Sequence, residues 1–132
     1  GKLVIKGIAT VDDAQRAYEL GVDGIIVSNH GGRQLDAGES AVNSLIQIVE
    51  EFGDKFTVMM DSGLRSGVDV ARCMAAGAKF TFMGRSFMYG VAALGDEGGH
   101  HTISLIKREL QQVLEQVCCP SVDQLPLHLI KR

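Results

Sequence analysis

The chain has little of what marks a fibrous, membrane-spanning or secreted protein. Of its 132 residues, two are proline, none is tryptophan and 5% are aromatic. No apolar run approaches the roughly 18 residues that a membrane-spanning helix needs, and the N-terminus lacks a cleavable signal pattern, so neither membrane insertion nor secretion is expected. The content of 45% hydrophobic and 22% charged residues is typical of one globular domain, which we place over residues 1–132.

Concentrated charge and paired cysteines are also missing. The net charge is −3 with lysine and arginine scattered, which argues against a nucleic-acid partner. The three cysteines are Cys73 and the adjacent Cys118 and Cys119, so neither a disulfide framework nor a zinc site is indicated, and we expect a reducing, cytoplasmic location. The adjacent His100 and His101 have no third ligand at a suitable spacing, so no metal is expected.

What the chain does have is four short apolar runs separated by segments of helical period. The runs are Leu3–Ile5, Gly24–Val27, Phe56–Met60 and Phe80–Met83. Consecutive apolar positions are typical of strands buried on both faces, and the order is therefore βαβαβαβ followed by more helix. Such units fit an open doubly wound sheet or half of an eightfold barrel of about 250 residues, and periodicity alone does not choose between them.

Boundary residues support the helical segments. Thr10 with Asp13 has capping-box spacing, Ser40 is a candidate cap, and Ser66 or Gly67 opens the third helix. The remaining predictions are helix ends at Gly21, Gly53 and Gly77, a glycine loop at 98–101, helices over 86–94 and 103–117, and a tail of irregular structure or a short helical turn over 119–132.

Polar and glycine-rich residues follow every predicted strand. Parallel α/β folds bind ligands at the carboxyl edge of the sheet, so these segments predict one continuous site. They are Lys6-Gly7, the stretch SNHGGRQLD over 28–36, the stretch DSGLRSG over 61–67, and Gly84-Arg85.

Two of these segments predict a phosphate cradle. Glycines let the backbone approach an anion, the third helix offers its N-terminal amides, and Arg65 and Arg85 can each bind phosphate oxygens in a fork. Barrels place such a cradle after strands seven and eight, which favours the second half of a barrel. Two ordinary turns with surface arginines are the alternative interpretation.

A histidine and two cations complete the candidate site. His30 lies just after a buried run, where it can accept a proton near neutral pH, and Arg33 can bind a carboxylate with two hydrogen bonds. Lys6 is either a solvated charge or, inside a site, a group that stabilises a developing anion.

At these residues the chain resembles the FMN-dependent 2-hydroxy acid oxidases and dehydrogenases, in their C-terminal half. The resemblance rests on SNHGGRQLD, DSGLRSG, MGR and the strand-end VIKG, and it covers essentially all of the chain. SNHGGRQLD is specific to that family, whereas the phosphate segment is shared with other phosphate-binding barrels. The fold implied is the C-terminal half of a (β/α)8 barrel, with four parallel βα units, a C-terminal helix and a tail.

The resemblance also implies a role for each site residue and FMN as the cofactor. His30 matches the base that takes a proton from a small 2-hydroxy acid such as lactate or glycolate, and Arg33 matches the arginine that binds the substrate carboxylate. Lys6 matches the lysine beside the flavin ring, and Ser28 matches a flavin contact. The flavin ribityl and phosphate contacts correspond to Asp61, Ser62, Gly63, Leu64, Arg65, Gly84 and Arg85.

The chain departs from the family pattern in two ways. Ser62 stands where family members commonly carry glycine, and the first four βα units, with the aspartate that orients the histidine, are absent. We therefore expect an N-terminal half-barrel as partner, a homo-oligomer in the complete protein, and an inactive fragment alone. A non-catalytic half-barrel that binds FMN or phosphate is the alternative. The resemblance leaves the substrate and the electron acceptor (oxygen, quinone or cytochrome) open. Association with a membrane is expected only through a membrane-bound electron acceptor.

Overall fold

A parallel sheet with helices packed on it forms the framework of the computed structural model, which describes residues 1–128. That part of the chain contains strands β1 (Val4–Ile8), β2 (Gly24–Val27) and β3 (Thr57–Met60), helices α1 (Val11–Glu19), α2 (Ala41–Phe52), α3 (Gly67–Ala75), α4 (Arg85–Leu94) and α5 (Gly98–Gln116), and 3₁₀ turns at His30–Gly32, Gly95–Glu97 and Val122–His128.

The sheet order is β1-β2-β3, and both pairings are parallel. The prediction of parallel βα units is confirmed for these strands. β2 lies in the middle and is the most buried, with Ile25 and Val27 fully enclosed. The register between β1 and β2 slips by one residue at Gly7, which makes a bulge in β1 near its carboxyl end. Lys6 therefore lies within β1 and not after it.

The fourth predicted strand, Phe80–Met83, forms only a single parallel bridge between Thr81 and Met60. The Met60 amide donates to the Phe80 carbonyl and the Phe82 amide donates to the Met60 carbonyl, so this segment does lie along β3. The pairing stops there because Gly84 caps α4 directly afterwards. The prediction of a full strand is wrong for the described residues, and the segment is an edge with one bridge.

The main apolar core lies between the sheet and the first two helices. Strand residues Ile25, Val27 and Val58 pack with Leu45 and Phe52 of α2, and each of the five is fully buried. Burying one such side chain contributes about 1.5–3 kcal/mol, so this face of the sheet anchors the fold. The consecutive apolar residues of these strands predict burial on both faces of the sheet, and the structure shows Ile25, Val27 and Val58 buried.

Helix boundaries follow the predicted caps with two exceptions. Thr10 accepts from the Asp13 amide, and Ser66 forms a complete capping box with Asp69, as expected. Ser40 precedes α2 but makes no side-chain cap within the described structure. The predicted glycine loop at 98–101 is instead the first turn of α5, which begins at Gly98 and not at Ile103. That prediction is wrong because Gly98 packs against Gly90 of α4, and this close approach favours glycine inside a helix.

A second apolar cluster joins α3 and α5 to the tail. It contains Ala71, Leu114, Cys119 and Leu125. The tail forms a 3₁₀ turn up to His128, which agrees with the predicted short turn, and positions 129–132 lie outside the described residues. All three cysteines are free, as expected. Burial, with a smaller effect of the Asp69 charge, raises the pKa of Cys73 to about 11 and makes it an unreactive packing residue.

Within residues 1–128, no group of three or more histidine, cysteine, aspartate or glutamate side chains is arranged to hold a metal ion. None of the helices in that range is long and apolar enough to cross a membrane.

Candidate active site

The predicted site residues meet in one cavity at the carboxyl edge of the sheet. Its volume is about 600 Å³, within the range of small-molecule and cofactor sites. The predicted residues that line it are Lys6, His30, Arg33, Asp61, Ser62, Gly63, Leu64, Arg65, Gly84 and Arg85. Ser28 is the exception, since it is 1% exposed and lies beneath the cavity.

An ion pair between Lys6 and Asp61 forms the floor of the cavity. The Lys6 Nζ lies 2.8 Å from Asp61 Oδ2 and donates to the Ser28 Oγ at 2.9 Å. The other carboxylate oxygen of Asp61 accepts from the Ser62 hydroxyl at 2.9 Å. Three strand ends are thus tied together by one lysine, one carboxylate and two hydroxyls.

The electrostatics of Asp61 follow from these contacts. Burial raises the pKa of this carboxyl group, and the hydrogen bonds from Lys6, Ser28 and Ser62 with the Lys6 charge lower it by more. The net effect is a pKa below the ordinary value, so Asp61 is ionised at neutral pH and Lys6 has a permanent counter-ion. The side chain of Lys6 is nevertheless 45% exposed towards the cavity, where its one remaining N–H group can meet a ligand.

His30 sits over Gly7, at the bulge in β1. Its backbone is left-handed, with φ at 57°, and its amide donates to the Ser28 Oγ at 3.1 Å. A Cβ on Gly7 would lie 2.9 Å from the His30 Cε1, so the imidazole packs where only glycine leaves room. The next residues turn back as a short 3₁₀ segment, which brings Arg33 to the same cavity.

The two arginines of the predicted phosphate cradle make different contacts at the cavity. The Arg85 guanidinium donates to the Gly31 carbonyl at 3.3 Å and so contacts the histidine loop. The Arg65 guanidinium lies 5.7 Å from the ring centre of Tyr89 on α4, within cation–π range. Gly63 and Gly84 also line the cavity and have open space where a Cβ would be, so their backbone is accessible to a ligand.

The N-terminus of α3 does not offer its amides, contrary to the prediction. Asp69 accepts from the amides of Arg65 and Ser66, and the Ser66 hydroxyl accepts from the Asp69 amide. The Gly67 amide donates to the Glu109 carboxylate of α5 at 2.7 Å. Because carboxylates of the chain already occupy this helix end, an anion would meet negative charge there. The start of α4 has no side-chain cap among the described residues, and Gly84 and Arg85 face the cavity.

Sequence reasoning missed the apolar wall of the cavity. Phe82, Met83 and Met88 line it together with the polar Gln34. The sequence pattern places Phe82 and Met83 in a strand and Met88 in a helix, with no role in the site. Their position next to Gly84-Arg85, a predicted site segment, is the sequence feature that indicates a place in the cavity wall. Leu64 lines the cavity only marginally, since its side chain is 5% exposed and belongs to the core.

Parallel βα units whose polar loops line a cavity with one lysine and three arginines define an α/β protein with a candidate ligand site at the carboxyl edge of its sheet. The family model described as FMN-dependent dehydrogenase matches residues 1–132, and this chain belongs to that family. It is 41% identical over its whole length to an L-lactate dehydrogenase of a Caulobacter species, and 41% identical over 93% of its length to a peroxisomal (S)-2-hydroxyacid oxidase of Arabidopsis thaliana. The resemblance stated from the motifs is confirmed.

Solved structures give the same result. The chain superposes with a TM-score of 0.92 and 39% identity on a monotopic membrane protein, (S)-mandelate dehydrogenase, over 99% of its length. A soluble mutant of the membrane-associated (S)-mandelate dehydrogenase from Pseudomonas putida gives 0.89 and 40% over 94%. The chain spans about a third of these proteins, 35% of each of the two solved chains and 35% and 34% of the two curated relatives.

Replacing Lys6 with methionine is expected to raise the pKa of Asp61. Burial raises the pKa of this carboxyl group, and without Lys6 only the hydrogen bonds from Ser28 and Ser62 remain to lower it. In the wild type, the lowered folded-state pKa makes Asp61 stabilising above about pH 4, and this contribution is lost as the pH falls through the folded-state pKa. Titration of the Asp61 carboxyl carbon by NMR measures the shift.

The matched control is Lys2→Met, which removes an exposed lysine from its ion pair with Asp23 at the opposite end of the sheet. Its Asp61 should titrate as in the wild type. An unchanged Asp61 pKa in Lys6→Met would show that the ion pair does not set the charge of the site.

Proposed function

We propose that this chain supplies the proton-accepting and cofactor-binding residues of an FMN-dependent 2-hydroxy acid oxidoreductase. The observation that carries this proposal is the convergence of His30, Arg33 and Lys6 with Arg65 and Arg85 on one cavity. A base, a carboxylate-binding cation and separate phosphate-binding cations are the groups that oxidation of an anionic hydroxy acid on a phosphorylated flavin requires.

The cavity fits FMN on three observations. Its volume of about 600 Å³ suits a cofactor, Phe82 and Met83 give it an apolar wall, and the open backbone at Gly63 and Gly84 lines it together with two arginines. The phosphate is assigned to Arg65, Arg85 and the uncapped start of α4, since the start of α3 is filled. Asp61, Ser62, Gly63 and Leu64 form the adjoining strand end, and Ser28 supports Lys6 from below.

FMN would supply the two-electron acceptor for the oxidation. The residues of the chain do the rest. Arg33 binds the substrate carboxylate and fixes which end of the molecule faces the histidine. A ring nitrogen of His30 accepts one of the two protons that the 2-hydroxy acid loses as the 2-oxo acid forms, and the electron pair and the other proton would pass to bound FMN. The Lys6 ammonium, held 2.8 Å from Asp61, places positive charge where the flavin gains negative charge.

The half-barrel assignment is part of the same proposal. The three strands and the bridged edge segment are the parts of four βα units, and both sheet edges are open in the described structure. Apolar side chains are exposed at each edge, including Leu3 at 58% on one side and Phe80 at 57% on the other. An N-terminal half-barrel would cover both edges, and in the complete protein we expect a homo-oligomer in the cytoplasm or on a membrane surface.

His30→Gln is expected to lower turnover of a 2-hydroxy acid such as lactate by about 10²- to 10⁴-fold in the complete protein, because the proton acceptor is lost. FMN should stay bound, as judged by its visible absorbance. His101→Gln, which changes an exposed histidine on α5, is the control and should keep normal turnover. Near-normal rates in His30→Gln would show that another group is the base.

Arg65→Ala and Arg85→Ala are each expected to weaken FMN binding by about 1.5–3 kcal/mol, the contribution of a charge-assisted hydrogen bond. Riboflavin, which lacks the phosphate, should lose much less affinity. Fluorescence titration with both flavins measures the difference, and Arg16→Ala on α1 should change neither. An equal loss for FMN and riboflavin would contradict the phosphate assignment.

The isolated 132 residues are expected to self-associate, to bind FMN weakly and to show no turnover, because both sheet edges and their apolar side chains are uncovered. Light scattering and a flavin titration measure this. A stable monomer that binds FMN and is not bleached by hydroxy acids would support the alternative of a binding module. A stable monomer that binds FMN tightly and oxidises lactate would show that a second half is dispensable.

A further inference from the structure

We propose that Ser62 is a positioning residue whose hydroxyl links the backbone carrying His30 to the Lys6–Asp61 ion pair. This inference deepens the proposed function and rests on it for the role of His30. Ser62 directly follows Asp61 at the end of β3, between the base loop on one side and the lysine on the other.

The Ser62 hydroxyl makes its hydrogen bonds within the site. It donates its one proton to Asp61 Oδ1 at 2.9 Å and accepts from the Gly31 amide at 3.1 Å. The Ser28 Oγ lies 3.4 Å away. The single Ser28 proton can go to this oxygen or to the Asp61 carboxylate, so the two assigned hydrogen bonds of the Ser62 hydroxyl are those with Asp61 and Gly31.

The backbone of Ser62 shows why a side chain matters here. Its φ is 76°, in the left-handed region that strongly favours glycine. A serine in this conformation is less favourable than glycine unless its side chain makes compensating contacts. The three contacts of the hydroxyl are that compensation, and they point into the site and not into the core.

The Ser62 hydroxyl constrains both the loop that carries His30 and the ion pair between Lys6 and Asp61. The amide of Gly31 is held by Ser62 and by Asn29 Oδ1, while the preceding His30 amide is held by Ser28. The backbone on the C-terminal side of the histidine is thus fixed from β3. Asp61 gives one oxygen to Ser62 and the other to Lys6, so loss of the hydroxyl frees the carboxylate to turn and the ammonium to follow.

Two variants of Ser62 separate the hydroxyl from the backbone. Ser62→Gly removes the hydroxyl and relieves the left-handed backbone, whereas Ser62→Ala removes the hydroxyl and keeps the unfavourable conformation. If Ser62 acts through its hydroxyl, both variants of the complete protein lose about tenfold in kcat with little change in KM, because an interaction that orients the base is removed. If only the backbone matters, the glycine variant keeps wild-type kcat.

A second measurement does not depend on turnover. NMR titration of Asp61 should give a higher pKa in both variants than in the wild type, because a donor to the carboxylate is lost. Ser66→Ala is the matched control, since it removes a hydroxyl from the same loop that only caps α3. It should lower the unfolding temperature and leave kcat and the Asp61 pKa unchanged.

The outcomes distinguish this inference from the proposed function. Wild-type kcat in Ser62→Gly, or an unchanged Asp61 pKa in both variants, would overturn the role of Ser62 even if His30→Gln abolishes turnover. If the wild type oxidises no 2-hydroxy acid, the proposed function fails, and with it the role of Ser62 in that reaction. Should Ser62→Ala fold poorly, Ser62→Gly carries the test alone, because glycine suits the backbone at this position.

Discussion

The parallel register of three strands is the constraint on which the site depends. β2 is buried between β1 and β3, and its pairing places Lys6 opposite Ile26 and Val27 opposite Met60. The residues that follow these positions therefore lie at the carboxyl edge of the sheet, and the backbone pairing places them there independently of their side chains. Ser28 comes after β2 and Asp61 after β3, so a lysine, a hydroxyl and a carboxylate are brought within hydrogen-bond distance by backbone pairing alone.

The bulge at Gly7 adds what regular pairing cannot supply. One extra residue in β1 changes the direction of the strand end, and the missing side chain leaves space for the His30 ring. A straight strand with a side chain at this position would exclude the imidazole from the edge where Lys6 lies. The histidine and the lysine thus share one side of the cavity because a glycine interrupts the ladder.

The sequence was sufficient for the elements whose signal is local. Apolar runs located β1 to β3, and the capping residues Thr10 and Ser66 located the starts of two helices. Two elements could not be predicted from the sequence, because they depend on contacts between segments that are distant in the chain. Phe80–Met83 reads as a buried strand, yet it makes only one bridge to β3, because Gly84 caps α4 directly afterwards. Gly98 reads as a loop residue, yet its contact with Gly90 makes it the start of a helix.

The candidate site shows the same division. Its polar residues were predictable because strand ends meet at one edge, but the choice between two helix N-termini was not. α3 crosses α5 so closely at Gly67 that a Cβ there would overlap the Leu110 amide nitrogen, and this contact delivers Glu109 to the Gly67 amide. A carboxylate at that point disfavours a phosphate, whereas free amides would attract one. The packing of α5 against α3, with Glu109 42 residues away from Gly67 in sequence, therefore leaves the start of α4 as the helix end without a side-chain cap at the cavity, within the described residues. There Arg85 faces the cavity and also donates to the Gly31 carbonyl, so one residue joins the start of α4 to the loop that carries His30.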